Sequence, residues 1–271
     1  MFLLGSKGAH AGMLKHFILG LAVLTGISFA SAQTPLRIAA AADLEPVLPP
    51  LLTQFEKSTG IHVEATYQAS AALTTQIQNG APFDIFLSAD MGYPKKLVDA
   101  GLADAAGSAD SSTPINYANG TLVLWARKDS SLPPPSLDLL RNPGLRRLAI
   151  ANPDRAPYGR AAVAAINSLK LYDALRARLV TAENIAQAAQ FVDSGNADAG
   201  LISLTSALTP RLSSSGHYFA IPKDLYPPIQ QGAVIVNRTT KRADAHKFLD
   251  FLLSGPVQAQ LSAAGLTPAR K

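Results

Sequence analysis

Asn79-Gly-Ala-Pro-Phe-Asp-Ile-Phe-Leu-Ser-Ala-Asp90 is the stretch on which the fold turns. Asn79-Gly80 closes a short helix, because glycine accepts the left-handed backbone that ends a helical turn. Asp84-Ile-Phe-Leu-Ser88 is a short apolar run bounded by polar residues, which predicts a largely buried strand. Asp90 then caps a helix that runs to Ala100. Helix, buried strand and helix in quick succession predict an α/β chain with mostly parallel sheets.

Moving upstream, Ser70 is expected to cap the short helix carrying Leu73 and Ile77, and Ile61–Tyr67 alternates as a strand. Before it, Val47, Leu51 and Phe55, with Leu48 and Leu52, form a helical stripe over about 44–58. Pro46, Pro49 and Pro50 are tolerable only near a first turn, so this helix starts late, and Gly60 stops it. Leu36–Ala40 is another strand.

Downstream, the chain turns at Tyr117-Ala-Asn-Gly120 into a strong strand, Thr121–Trp125. Strands at 148–150, 179–180 and 199–202 alternate with helices at 158–169 and 184–192. A strand at 233–237 leads to a last helix with the stripe Ala245, Phe248, Leu249 and Leu252.

At the N-terminus, Lys7 and Lys15 precede the apolar run Phe17–Phe29 and the small-residue site Ala30-Ser-Ala32. This is the pattern of a cleavable signal peptide over 1–32, since the apolar run is too short to span a bilayer. Its removal lowers the formal charge from +5 to +3, with no Lys/Arg run that would suit nucleic acid. No cysteine is present, which excludes thiol catalysis, disulfides, cysteine zinc sites and a lipidated cysteine.

Ala39-Ala-Ala-Ala-Asp-Leu44, Ser70, the stretch 79–90, Ala156-Pro-Tyr-Gly-Arg-Ala161, Ala182-Glu-Asn-Ile185 and Ala197-Asp-Ala-Gly-Leu-Ile202 occur in this order. Together they resemble the periplasmic molybdate-binding proteins of ABC transporters, over essentially the whole mature chain. The resemblance implies a two-lobed type II clamshell with the ligand cleft between lobes. It implies one lobe from 33–117 and 228–271, the other from 118–227. It also implies a monomer, free in the periplasm, that delivers molybdate or tungstate to an inner-membrane permease without a cofactor or a cation site.

Carried over by position, the oxyanion contacts are Ala42, Asp43, Ser70, Tyr158, Ile185 and Ser203. The family more commonly has serine where Asp43 stands and tyrosine where Ser203 stands. Helix starts near 44, 70, 158 and 184 suit this role, because unpaired N–H groups and the positive end of the dipole favour an anion. Ile185 is expected to offer only its N–H, and Thr205 or Ser206 could replace Ser203. Asp43 is awkward, because a carboxylate 4 Å from a charge of like sign is repelled by about 4 kcal/mol at an effective dielectric near 20. Its side chain is therefore expected to turn away and cap its own helix, with Arg160 as the partner that neutralises it or touches the ligand. Asp43 also leaves phosphate as an alternative ligand, since a carboxylate acceptor suits a protonated oxyanion such as hydrogenphosphate, whereas a site of donors only suits molybdate, tungstate or the further alternative sulfate. Asp84 and Asp90 read as strand-end and cap residues.

An enzyme is not expected. His62, His217 and His246 lack metal spacing, and neither a G-x-S-x-G elbow nor a P-loop occurs. A serine hydrolase assembled in space is the rival from another class. A sensing module is a third, with no partner domain here to receive a signal.

Overall fold

The computed structural model describes residues 34–105 and 112–269. The signal peptide expected over 1–32 lies outside these residues. The first half of the chain folds as β1 (Leu36–Ala41), α1 (Leu48–Thr59), β2 (Val63–Gln68), α2 (Ser70–Gln78), β3 (Ile85–Ser88), α3 (Gly92–Asp99), β4 (Ala103–Asp104) and β5 (Ile115–Gly120). A middle block follows: β6 (Leu122–Arg127), β7 (Leu148–Ala151), α4 (Pro157–Ser168), α5 (Tyr172–Leu175), β8 (Leu179–Ala182), α6 (Ile185–Asp193), β9 (Ala199–Ser203), α7 (Leu204–Ala207), α8 (Pro210–Ser215) and β10 (Gly216–Ala220). The chain ends in β11 (Ile229–Val236), α9 (Arg242–Leu253), α10 (Gly255–Ala263) and β12 (Thr267–Pro268).

Two lobes result, each built on one sheet. The first sheet runs β12-β5-β11-β3-β1-β2, with β4 also on β11, and the second runs β10-β6-β9-β7-β8. The expectation of mostly parallel sheets needs correction. Parallel pairing is confined to β1 with β2 and β3, and to β7 with β8 and β9; the other pairs are antiparallel. The reason lies in the connections. Helical crossovers force parallel neighbours, whereas strands that carry the chain between sheets arrive from the opposite end.

The first sheet is covered on both faces, and the period of two decides which residue meets which helix. Leu36, Ile38, Ala40, Ile85, Leu87, Ala233 and Ile235 pack against α1, α9 and α10. Ala39, Phe86, Val234 and Val236 face the other way, onto Leu73 and Ile77 of α2 and Leu97 of α3. Phe55 and Phe248 meet edge to face at 5.2 Å, joining α1 to α9. As expected, α1 starts late, with proline in its first turn, and ends at Gly60 in the left-handed conformation (φ 73°).

Tyr117–Gly120 is not a turn but the end of β5. Only Thr121 separates β5 from β6, so the chain leaves one sheet and enters the other almost without a loop. It returns between Ala220 and Ile229.

Candidate functional site

The parallel strands of both sheets point their carboxyl ends at a small shared cavity, the position where α/β sheets usually bind ligands. Ala41, Ala42 and Asp43 line it from the end of β1, Gln68 from the end of β2, Ala69 and Ser70 from the start of α2, and Ala89 from the end of β3. The second lobe supplies Ala156, Pro157 and Tyr158 at the start of α4, and Asn184 and Ile185 at the start of α6. The free volume is about 10 Å³, on a scale where one water needs roughly 10–15 Å³. A sugar or amino acid has no room; a compact ion needs only a slight parting of the walls. No lysine, arginine or histidine is among the lining residues.

Five of the six residues predicted from sequence therefore meet at one place. Three helix first turns converge there, and their N–H groups have no partner within their own helices. Asn184, not Ile185, is the cap of α6: its side chain accepts from Gln187 N–H at 2.9 Å, leaving the N–H of Ile185 to the cavity wall. Ser70 does not cap α2, because Ala69 occupies that position. Instead Ser70 Oγ accepts from Ala89 N–H at 3.1 Å, which leaves the serine proton free to donate. Ser203 is not among the cavity-lining residues. It caps α7, and its buried hydroxyl bonds Ser206 and Thr205, each at 2.9 Å.

Asp43 sits in a short 3-10 turn, Ala42–Leu44, and is completely buried. Oδ2 accepts from Tyr158 Oη at 3.1 Å and from Gln231 Nε2. Gln231 Oε1 accepts in turn from Tyr117 Oη at 2.7 Å, and Thr205 Oγ1 donates to the Asp43 carbonyl at 2.8 Å. Oδ1 has no hydrogen-bond partner among the described residues. Burial raises the Asp43 carboxyl to about pKa 6, against the opposing pull of Gln231 and Tyr158. Burial, reinforced by the Asp43 charge, holds the Tyr117 and Tyr158 hydroxyls well above the ordinary phenol range.

Two expectations about Asp43 are overturned. It caps nothing: the 3-10 turn has no side-chain cap, and the carboxylate reaches across the cleft instead. Nor is Arg160 its partner. Arg160 pairs with Asp90 and lies 5.3 Å over the ring of Tyr93. A partly exposed guanidinium finds a cheaper counter-ion at the rim than a fully desolvated one inside. Asp90 is not the cap expected of it, because Met91 holds that position in α3; Asp90 lies one residue earlier and its side chain accepts from Tyr93 N–H at 3.0 Å.

Other bonds tie the lobes beside the cavity. Ala71 N–H donates to Arg155 O at 3.2 Å and Tyr93 Oη to Asp154 O at 3.3 Å. Gly120 lets Tyr158 approach, because a Cβ there would fall 2.2 Å from its hydroxyl oxygen.

Gln231 and Tyr117 escaped the sequence reading, which named Thr205 only as a substitute for Ser203 and not as a partner of Asp43. Gln231 faces the core by ordinary alternation, two residues after buried Ile229 and next to exposed Gln230, and nothing in a Gln-Gln pair announces which of the two turns inward.

Bacterial extracellular solute-binding proteins match this sequence over residues 36–267. The chain belongs to that family. Among relatives of this solute-binding protein, the molybdate-binding protein ModA of Azotobacter vinelandii is 37% identical, over 85% of this chain and 88% of its own. ModA of Rhodobacter capsulatus is 35% identical, over 86% and 88%. The structure of the Azotobacter vinelandii periplasmic molybdate-binding protein superposes with a TM-score of 0.80 at 34% identity, covering 87% of this chain and all of that one. The architecture is the two-lobed type II periplasmic-binding fold.

Proposed function

We propose that this solute-binding protein captures molybdate or tungstate in the small cavity and delivers it to the membrane permease of an ABC importer. The observation that carries the reading is the convergence of three helix first turns from two lobes on one compact cavity without a cationic side chain. Such a site favours an anion through many neutral N–H and O–H donors rather than through a counter-charge. The names of the relatives supply the choice of ion.

In this reading the N–H groups of Ala42, Asp43, Ser70, Tyr158 and Ile185 and the hydroxyl of Ser70 surround the ion. Tyr158 contributes its backbone, because its hydroxyl is engaged by Asp43. Ser203 supports the wall behind. About six charge-assisted bonds at roughly 1.5–3 kcal/mol each offset the desolvation of the ion. Neither lobe alone supplies them, so binding favours the closed form. The lobes, 33–117 with 228–271 and 118–227, swing about the two crossings near 120 and 221–228. The protein acts as a monomer in the periplasm, exported by the signal peptide at 1–32, and carries out no covalent step.

Calorimetry with molybdate, tungstate, sulfate and phosphate in parallel tests this. Molybdate and tungstate are expected to bind at micromolar concentrations or below. At a hundredfold excess over Kd they raise stability by about 2.7 kcal/mol, which shifts Tm by roughly 5–10 °C. Preference for sulfate or phosphate would reassign the ligand; silence with all four ions would end the oxyanion reading.

A further inference from the structure

We propose that Asp43 makes oxyanion capture proton-linked: one proton enters from solvent with each ion and resides on Oδ1 of Asp43, which then donates to the ion. This rests on the oxyanion reading and adds the protonation state of the complex.

The geometry assigns the two oxygens different tasks. Oδ2 is the acceptor of two donors, Tyr158 Oη and Gln231 Nε2, so a proton there would displace one of them. Oδ1 is buried without a partner among the described residues, and Asp43 is one of the residues that line the cavity. A neutral acid therefore carries its proton on Oδ1, where it becomes one more donor in a site built of donors. An ionised Asp43 would instead set a buried negative charge against a dianion.

Among the described residues, the side chains bonded to Asp43 include no other carboxylate and no imidazole. Tyr158 faces Asp43 from α4 and Tyr117 stands behind Gln231 from β5; both stay neutral, held well above the ordinary phenol range by burial. β11 presents Gln231 and α7 presents Thr205, neither of which titrates. Glu45, two residues along, is exposed, and the nearby cation Arg160 is paired with Asp90. Burial already brings the empty-site carboxyl to about pKa 6, and a neighbouring dianion raises it further.

The sign follows from linkage. Below about pH 6 Asp43 is protonated before binding, and affinity is highest and flat. Above it, each pH unit weakens binding about tenfold until the pKa of the complex is passed, where affinity levels off again.

The test uses the mature chain and sodium molybdate, with Kd measured from about pH 6 to about pH 8.5 and heats compared in buffers of different ionisation enthalpy. Expected are a falling affinity and uptake approaching one proton per ion near pH 7. Asp43→Asn keeps a donor at the same place without a titrating proton, so its affinity is flat with pH and no proton is taken up. A flat profile without uptake in the unaltered protein overturns the proposal, as does an equal slope in Asp43→Asn. The Asp43 carboxyl is also followed directly by infrared titration of the unaltered protein. An upward shift on adding molybdate supports the proposal and none refutes it, whether or not the variant folds. Absence of molybdate binding at every pH would defeat the oxyanion reading itself, and the proposal with it.

Discussion

Two buried aspartates of the first lobe stand at opposite ends of its parallel strands and have opposite fates. Asp84, at the amino end of β3, has both carboxylate oxygens occupied: Arg37 N–H donates to Oδ2 at 2.7 Å and Thr239 Oγ1 to Oδ1 at 2.5 Å. Asp43, at the carboxyl end of β1, keeps one oxygen without a partner and stands at a carboxyl pushed up to about pKa 6. The residue type is the same; the end of the sheet differs. At the amino ends, loops can be tailored around a carboxylate until it is satisfied. At the carboxyl ends, helix first turns point their own unpaired donors into the space where a ligand belongs, and a side chain there is left partly unmet.

The comparison breaks most visibly at its structural end. Asp84→Ala removes two hydrogen bonds to a buried carboxylate, and a loss of about 3–5 kcal/mol is expected, read as a fall in Tm, with the pH dependence of ligand binding unchanged. If Asp84→Ala melted like the unaltered protein, the structural role of that end would fall.

At the functional end the sign reverses. The folded-state pKa of Asp43, about 6 against an ordinary 3.8, means that burying its charge costs nothing below about pH 4. That cost grows through the interval and is fully in force above pH 6. Asp43→Asn is therefore expected to be more stable than the parent by up to about 3 kcal/mol at neutral pH. The advantage disappears near pH 4, which denaturant titrations at the two pH values would show.

The smallest effect comes from the crossing between sheets. Gly120→Ala puts a methyl group against the Tyr158 hydroxyl, and the displaced ring weakens both the Asp43 bond and the cavity wall. A loss of about 1–3 kcal/mol of folding stability is expected, read as a lower Tm, together with weaker molybdate binding in calorimetry. Unaltered affinity would show that Tyr158 does not position the site.

Much of this was legible along the chain. The stretch 79–90 announced its helix end, its strand and the helix that follows because each depends on neighbours a few residues away, though the cap fell on Met91 rather than on Asp90. The positions Ala42, Asp43, Ser70, Tyr158 and Ile185 could be named through the family resemblance, and each follows a strand end or opens a helix. The partners of Asp43 and Arg160 could not. Gln231 is 188 residues from Asp43, and the two meet only because β11 returns to the first sheet after the whole second lobe has been built. Arg160 chose Asp90, on the other side of the cleft, over a carboxylate that sequence made equally available.

What the sequence determined by itself was local: periodicity, breaks, and the helix starts that furnish donors. Only the tertiary structure decided which donors share a space, which carboxylate is fully met, and which is left with an open oxygen. The physical reason is range. Helix and strand preferences are set within one or two turns of chain, whereas desolvation and hydrogen-bond competition act between groups that meet only when both lobes have folded.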